Sequence, residues 1–147
     1  MHPGKEILFS AGDIRFTLRN KTVIAKWLHR VAKKHKRKII SLHYIFVSDE
    51  YLLDINKRFL KHNTLTDIIT FDLRATENKK AELVGEIYIS IPRVIENAGL
   101  FKVSKTDELH RVMAHGLLHL CGFGDKTAPQ VKRMRAEEEN ALDLRKF

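Results

Sequence analysis

At 147 residues, 44% hydrophobic and 31% charged, the chain suits one domain with a single core and lacks the compositional bias of disorder. A net charge of +9, from 27 Lys plus Arg against 18 Asp plus Glu, favours a polyanionic partner, nucleic acid above all. Apolar runs such as Tyr44 to Val47 are too short to cross a bilayer. Met1 to Gly12 holds no positively charged start leading into an apolar stretch. The single cysteine, Cys121, has no partner for an internal disulfide, and together these features predict a cytoplasmic protein without a membrane partner.

In chain order, Val23, Trp27 and Val31, with Ile24 and Leu28 beside them, predict a helix from Thr22 to about Lys36. Lys38 to Val47 turns β-branched and aromatic and predicts a strand. Ser48 stands as the N-cap of a helix through Leu60, with Leu52, Ile55 and Phe59 on one face. A turn at His62 to Asp67 leads to a short strand from Ile68 to Leu73, and polar Arg74 to Glu82 reads as a loop. Val84 to Ile91 predicts a further strand, with Ile87, Ile89 and Ile91 sharing a face. Pro92 can open the next helix and Gly99 end it. Ser104, with Asp107 at the acidic third position, starts a helix whose apolar side is Leu109, Val112, Met113 and Leu117. Thr127 and Gln130 cap a final helix holding Val131, Met134, Leu142 and Leu144. No repeat or linker divides residues 1–147. One α+β domain is expected, a mixed sheet layered with helices.

The segment from His115 to Asp125 carries the strongest chemical signal. Residues four apart on a helix point the same way, so His115 and His119 can meet one ion. Gly122 and Gly124 let the chain turn and bring Asp125 back toward it. Two nitrogens and one oxygen leave a fourth position open, which is the layout of a catalytic zinc site. The plain alternative is two helical histidines and a solvated loop aspartate. Gly116 stands where the His-Glu-x-x-His metallopeptidases keep their general base, so a peptidase of that kind is not expected, whereas a metal that polarises a phosphoryl oxygen and generates hydroxide is enough for phosphodiester hydrolysis. Cys121 reads as a small buried apolar residue rather than a ligand.

Other constellations are weaker. Lys57, Arg58 and Lys61 place cations at a helix end before a polar turn, where Arg58 could hold a phosphate by its planar fork. From spacing alone, an exposed helical arginine is the simpler description. Thr66 and Asp67 read as turn-holding residues, and Glu86 as a polar strand residue. His110, five before His115, lies on another face. Glu137, Glu138 and Glu139 read as a solvated helical run, and Lys33, Lys34, Lys36, Arg37 and Lys38 as the solvated end of a helix.

Three blocks in order resemble the YbeY family of single-strand-specific endoribonucleases. They are Asn56-Lys57-Arg58 through Thr66-Asp67-Ile68-Ile69-Thr70-Phe71, then Gly85-Glu86-Ile87-Tyr88-Ile89, then His115-Gly116-Leu117-Leu118-His119-Leu120-Cys121-Gly122. The resemblance covers roughly residues 40 to 140. It implies an α+β fold with one zinc near the end of the histidine helix, and a part in ribosomal RNA maturation and ribosome quality control in the bacterial cytoplasm. Single-stranded or ribosomal RNA and a ribosomal subunit or its proteins are the partners it implies, and DNA is not. His115 and His119 match the first two zinc ligands, and Arg58 matches an arginine linked to activity. The family usually ends the last block in Asp-His. Here Gly124-Asp125 takes that place, so Asp125 falls at the third-ligand position. The expected function is a zinc-dependent endoribonuclease, with Arg58, Lys57 and Lys61 touching substrate. Two alternatives are a ribosome-assembly factor whose metal serves folding only, and a metal hydrolase with another substrate.

Overall fold

The computed structural model describes residues 6–60 and 66–147; the expected contact at Lys61 and most of the expected turn from His62 lie outside them. The chain runs β1 (Ile7–Ala11), α1 (Lys21–Lys34), β2 (Lys38–Val47), α2 (Asp49–Phe59), β3 (Ile68–Asp72), β4 (Glu82–Ser90), α3 (Ile91–Phe101), α4 (Lys105–Leu120) and α5 (Ala128–Asp143). The four strands form one sheet in the order β1-β2-β4-β3. β1 runs parallel to β2 from Ile7 opposite Leu42 to Ala11 opposite Phe46. β2 runs parallel to β4, and β3 returns antiparallel to β4 from Ile68 opposite Ile89 to Asp72 opposite Gly85. The sheet is therefore mixed, as the α+β expectation requires, and β3 is an open edge.

β1 departs from the sequence expectation, which assigned no strand before the first helix. Its side chains beyond Ile7 are largely exposed, so its apolar pattern is weak and parallel pairing with β2 decides its conformation. Two smaller corrections concern α3. Ile91 does not extend the strand: the Ser90 side chain accepts from the Arg93 N–H and, with Pro92 in the first turn, starts the helix there. Gly99 does not end it, because the left-handed residue that closes the helix is Lys102, at φ 56°.

The two faces of the sheet are covered unequally. The larger core joins Trp27, Leu28, Tyr44, Ile87, Met113 and Leu117 from α1, β2, β4 and α4, with Met134 and Ala141 of α5 behind. The smaller core, Ile45, Val47, Leu52, Ile55 and Ile69, seats α2 on the other face. Gly116 sets how closely α4 approaches the sheet. A Cβ there would lie 2.9 Å from two carbons of the Ile87 side chain and 3.0 Å from Ile68. That contact also bears on the missing glutamate: a side chain at this position requires the isoleucines or the helix to shift.

A candidate metal centre in a cleft beside the edge strand

The last turns of α4 and the turn that follows bring three ligand-type residues together. Leu118 O accepts from the Phe123 N–H, and Gly122 adopts φ 105°, which folds the chain back over the end of α4. Asp125 Oδ2 then lies 3.2 Å from His119 Nε2 and 3.5 Å from His115 Nε2. One ligand atom from each of the three residues falls within 4.8 Å of the others. Tetrahedral bonds of about 2.1 Å put neighbouring ligand atoms about 3.4 Å apart, so the donor set fits a small divalent ion. Among the described residues this is the group able to hold a metal.

Behind His115 lies a support that the sequence reading missed. His115 Nδ1 is 2.6 Å from Glu138 Oε2 on α5. A carboxylate only accepts, so Nδ1 donates to Glu138 and Nε2 is the nitrogen turned toward Asp125. Arg111 bridges Glu138 and Glu108, and both carboxylates are nearly fully buried. Burial works against the charge on Glu138, but His115 and Arg111 outweigh it and hold the carboxyl below its ordinary range. The expectation of a solvated run at Glu137 to Glu139 is thus wrong for two of the three, since Glu137 and Glu138 are 7% and 2% exposed. The signal was present in the spacing. Met134, Glu138 and Ala141 lie four and three apart, on the one face that α5 buries.

The site opens onto a cleft of about 840 Å³ beside β3, lined by His115, His119, Asp125 and Lys126 on one side and by Asn56, Thr66, Asp67, Thr70 and Asp72 on the other. Thr66 holds the turn, its hydroxyl donating to Ile68 O at 3.2 Å. Asp67 does something else. Its carboxyl lies in the cleft, and burial holds it above the usual carboxylate range against the opposing pull of Arg111 and His115. Its identity in a polar turn gave no sign of this.

Other expected site residues lie elsewhere. Arg58 is exposed on the outer side of α2, 3.1 Å from Asp54, and is absent from the cleft lining; Lys57 is exposed beside it. Glu86 accepts from the Tyr88 hydroxyl. Cys121 is buried, which pushes its thiol up to about 11 and suits the apolar reading. His110 packs against Trp27 and Phe147, away from the cleft.

A family profile described as Endoribonuclease YbeY matches residues 7–145. Endoribonuclease YbeY of Cytophaga hutchinsonii is 50% identical over 141 residues, 96% of each chain. The protein of that name from Amoebophilus asiaticus is 41% identical over 136 residues, covering 92% of this chain and 90% of its own. The solution structure of a Thermotoga maritima protein superposes with a TM-score of 0.63 at 24% identity, over 94% of this chain and 87% of that one, and so shares the fold. With a mixed sheet under a histidine helix and these relatives over nearly its whole length, the chain belongs to the YbeY family of endoribonucleases, which functions in ribosomal RNA maturation.

Proposed function

We propose that this chain is a zinc-dependent endoribonuclease that cuts single-stranded RNA during ribosomal RNA maturation and ribosome quality control, in contact with a ribosomal subunit in the cytoplasm. The observation that carries the reading is the approach of two imidazole Nε2 atoms to one oxygen of Asp125 at the mouth of an open cleft. His115, His119 and Asp125 would hold the ion, and a nitrogen-rich set with one carboxylate suits zinc best. Bound there, zinc supplies a Lewis acid for a phosphoryl oxygen.

The remaining roles fall to side chains of the chain itself. Glu138 fixes the His115 tautomer through Nδ1. Asp67 is the cleft carboxylate placed to accept a proton from the attacking hydroxyl, whether water or a ribose 2′-hydroxyl. Lys126 offers a cation within the cleft. Arg58 pairs with Asp54 where both side chains are more than half exposed, a contact worth little. Its guanidinium can exchange that partner for a phosphate of the strand outside the cleft, and Lys57 and Lys61, one before and three after it in sequence, are further cations for that strand.

The test is metal content by plasma mass spectrometry together with cleavage of a single-stranded RNA, on wild type, Asp125→Ala and His119→Ala. About one zinc per wild-type chain, lost in both variants together with cleavage, is the expected result. Wild type that takes up zinc and leaves RNA intact overturns the proposal.

A further inference from the structure

Two guanidinium groups share one acceptor where the β3–β4 loop, residues 73–81, meets the turn between α1 and β2: Arg74 from within the loop and Arg37 from the turn. Arg74 Nη1 and Arg37 Nη1 both donate to Lys80 O, at 3.0 and 3.1 Å. Neither guanidinium lines the cleft, but each has a second partner at or next to its lining. Arg74 is paired with Asp72, a cleft-lining residue, and Arg37 Nη2 donates to Cys121 O, one residue past the cleft-lining Leu120. Lys38 N bonds Ala81 O at 2.8 Å, closing the junction from the strand side.

This knot displays Lys36, Lys38, Lys79 and Lys80, all exposed. None of the four has an ion-pair partner among the described residues. Lys36 is turned out by a left-handed backbone at φ 58°. Glu77 and Glu82 flank Lys79 and Lys80 in the sequence; Glu82 accepts through one oxygen from the Lys79 backbone amide and the Asn78 side chain. A lysine-rich strip thus runs from the Asp72 end of the cleft across the loop to the turn after α1, with the Glu82 carboxylate within electrostatic reach of Lys79 and Lys38. The expected solvated helix end holds for Lys33, Lys34, Lys36 and Lys38, all exposed, while Arg37 is half-buried in the junction.

We infer that this strip is the track for the single-stranded RNA backbone as it leaves the cleft. The inference rests on the endoribonuclease reading above and names a binding surface separate from the metal centre. Lysine ammonium groups are point charges suited to phosphate rather than to base edges. The large exposed aromatic residues, Tyr51, Phe59, Phe101 and Phe147, belong to other elements, so base stacking contributes nothing on the strip. Binding there is governed by counterion release, with steep salt dependence and little base preference.

The test is fluorescence anisotropy of a labelled 2′-O-methylated oligouridylate on zinc-loaded protein, across a salt series, with probe integrity checked on a gel. The strip variant is Lys36→Glu/Lys38→Glu/Lys80→Glu. The charge-matched control, Arg19→Glu/Lys21→Glu/Lys105→Glu, lies at the far end of α1. The corresponding Lys→Gln triple is made as well, in case charge reversal disturbs the fold. At about 100 mM salt the strip variant should lose at least about tenfold in affinity, and its log–log salt slope should flatten by about 2, or about 0.7 per lost contact. The control should stay within about threefold of wild type.

Equal losses in strip variant and control, or no loss in either, overturn the strip while leaving the nuclease reading intact if wild type still cleaves. Polyglutamate competing as well as polyuridylate overturns it in favour of an acidic protein partner. Wild type that neither binds nor cleaves RNA overturns both.

Discussion

Asp67 and His110 are both held away from their ordinary protonation behaviour by burial, with opposite consequences. In Asp67 the cost of burial keeps a carboxyl basic within a cleft that also holds His115. Asp67→Asn preserves volume and removes the proton acceptor. It should lower RNA cleavage by about 10² to 10⁴-fold with zinc content unchanged, read by single-turnover cleavage alongside metal analysis. Unchanged cleavage would restrict Asp67 to a structural part. His110 touches no cleft residue. Burial, with Arg145 beside it, holds its pKa down at about 4, against an ordinary 6.5. The unfolded chain binds this proton near 6.5 and the folded chain does not, so its contribution to stability is full above 6.5 and is lost as pH falls toward 4. By linkage the loss approaches about 3 kcal/mol at the acid end. Urea titrations from pH 7 to pH 4.5 should show a shallower acid loss in His110→Gln than in wild type. Parallel curves would remove His110 as the cause.

α4 carries the two histidines, and what surrounds it decides where they point. Gly116 lets the helix lie against Ile87 and Ile68. The added methyl of Gly116→Ala gains helix propensity but meets the core at 2.9 Å. A net destabilisation of about 1–3 kcal/mol is expected from overpacking, measured by urea unfolding. A stabilised variant would mean that Ile87 yields freely. On its other side α4 leans on α5, whose start is fixed by the reciprocal bonds of Thr127 and Gln130. That cap was legible as Thr-x-x-Gln, and so were the side-chain caps at Ser48 and Ser104. What the capping pattern could not reveal is the cargo of α5, the Glu138 carboxylate delivered to His115. A run of three glutamates looks solvated until the helix face that Glu137 and Glu138 share with Met134 and Ala141 is packed.

At the scale of the whole molecule, the functional end depends on a core built by residues far away in sequence. The Trp27 indole donates to Ala141 O at 2.7 Å, tying α1 to the end of α5. Trp27→Phe leaves that buried carbonyl without its donor and should cost about 1–3 kcal/mol in a urea titration. If the tie also steadies Glu138, zinc affinity falls in parallel, which competition with a chromophoric chelator would read. Unchanged stability would show that water replaces the indole at no cost. The net charge of +9 belongs to this scale too, because its functional meaning depends on which cations the fold gathers beside the cleft.

Local chemistry was enough to read most of this protein from its chain. Helical spacing placed His115 and His119 together, Gly122 turned Asp125 back toward them, cap residues set where helices begin, and β-branched and aromatic runs marked β2 to β4. Each of these signals acts over a few residues, within reach of a single turn or strand. β1 escaped because parallel pairing with β2, rather than its own exposed pattern, makes it a strand. Asp67, Glu138 and the Arg37–Lys80–Arg74 junction escaped for a related reason. Their roles arise from contacts across 23 or more positions (Glu138 with His115, Arg37 with Lys80) or from burial in a cleft that forms only when α4 meets β3. Desolvation and long-range packing gave those side chains their character, and both are properties of the folded chain.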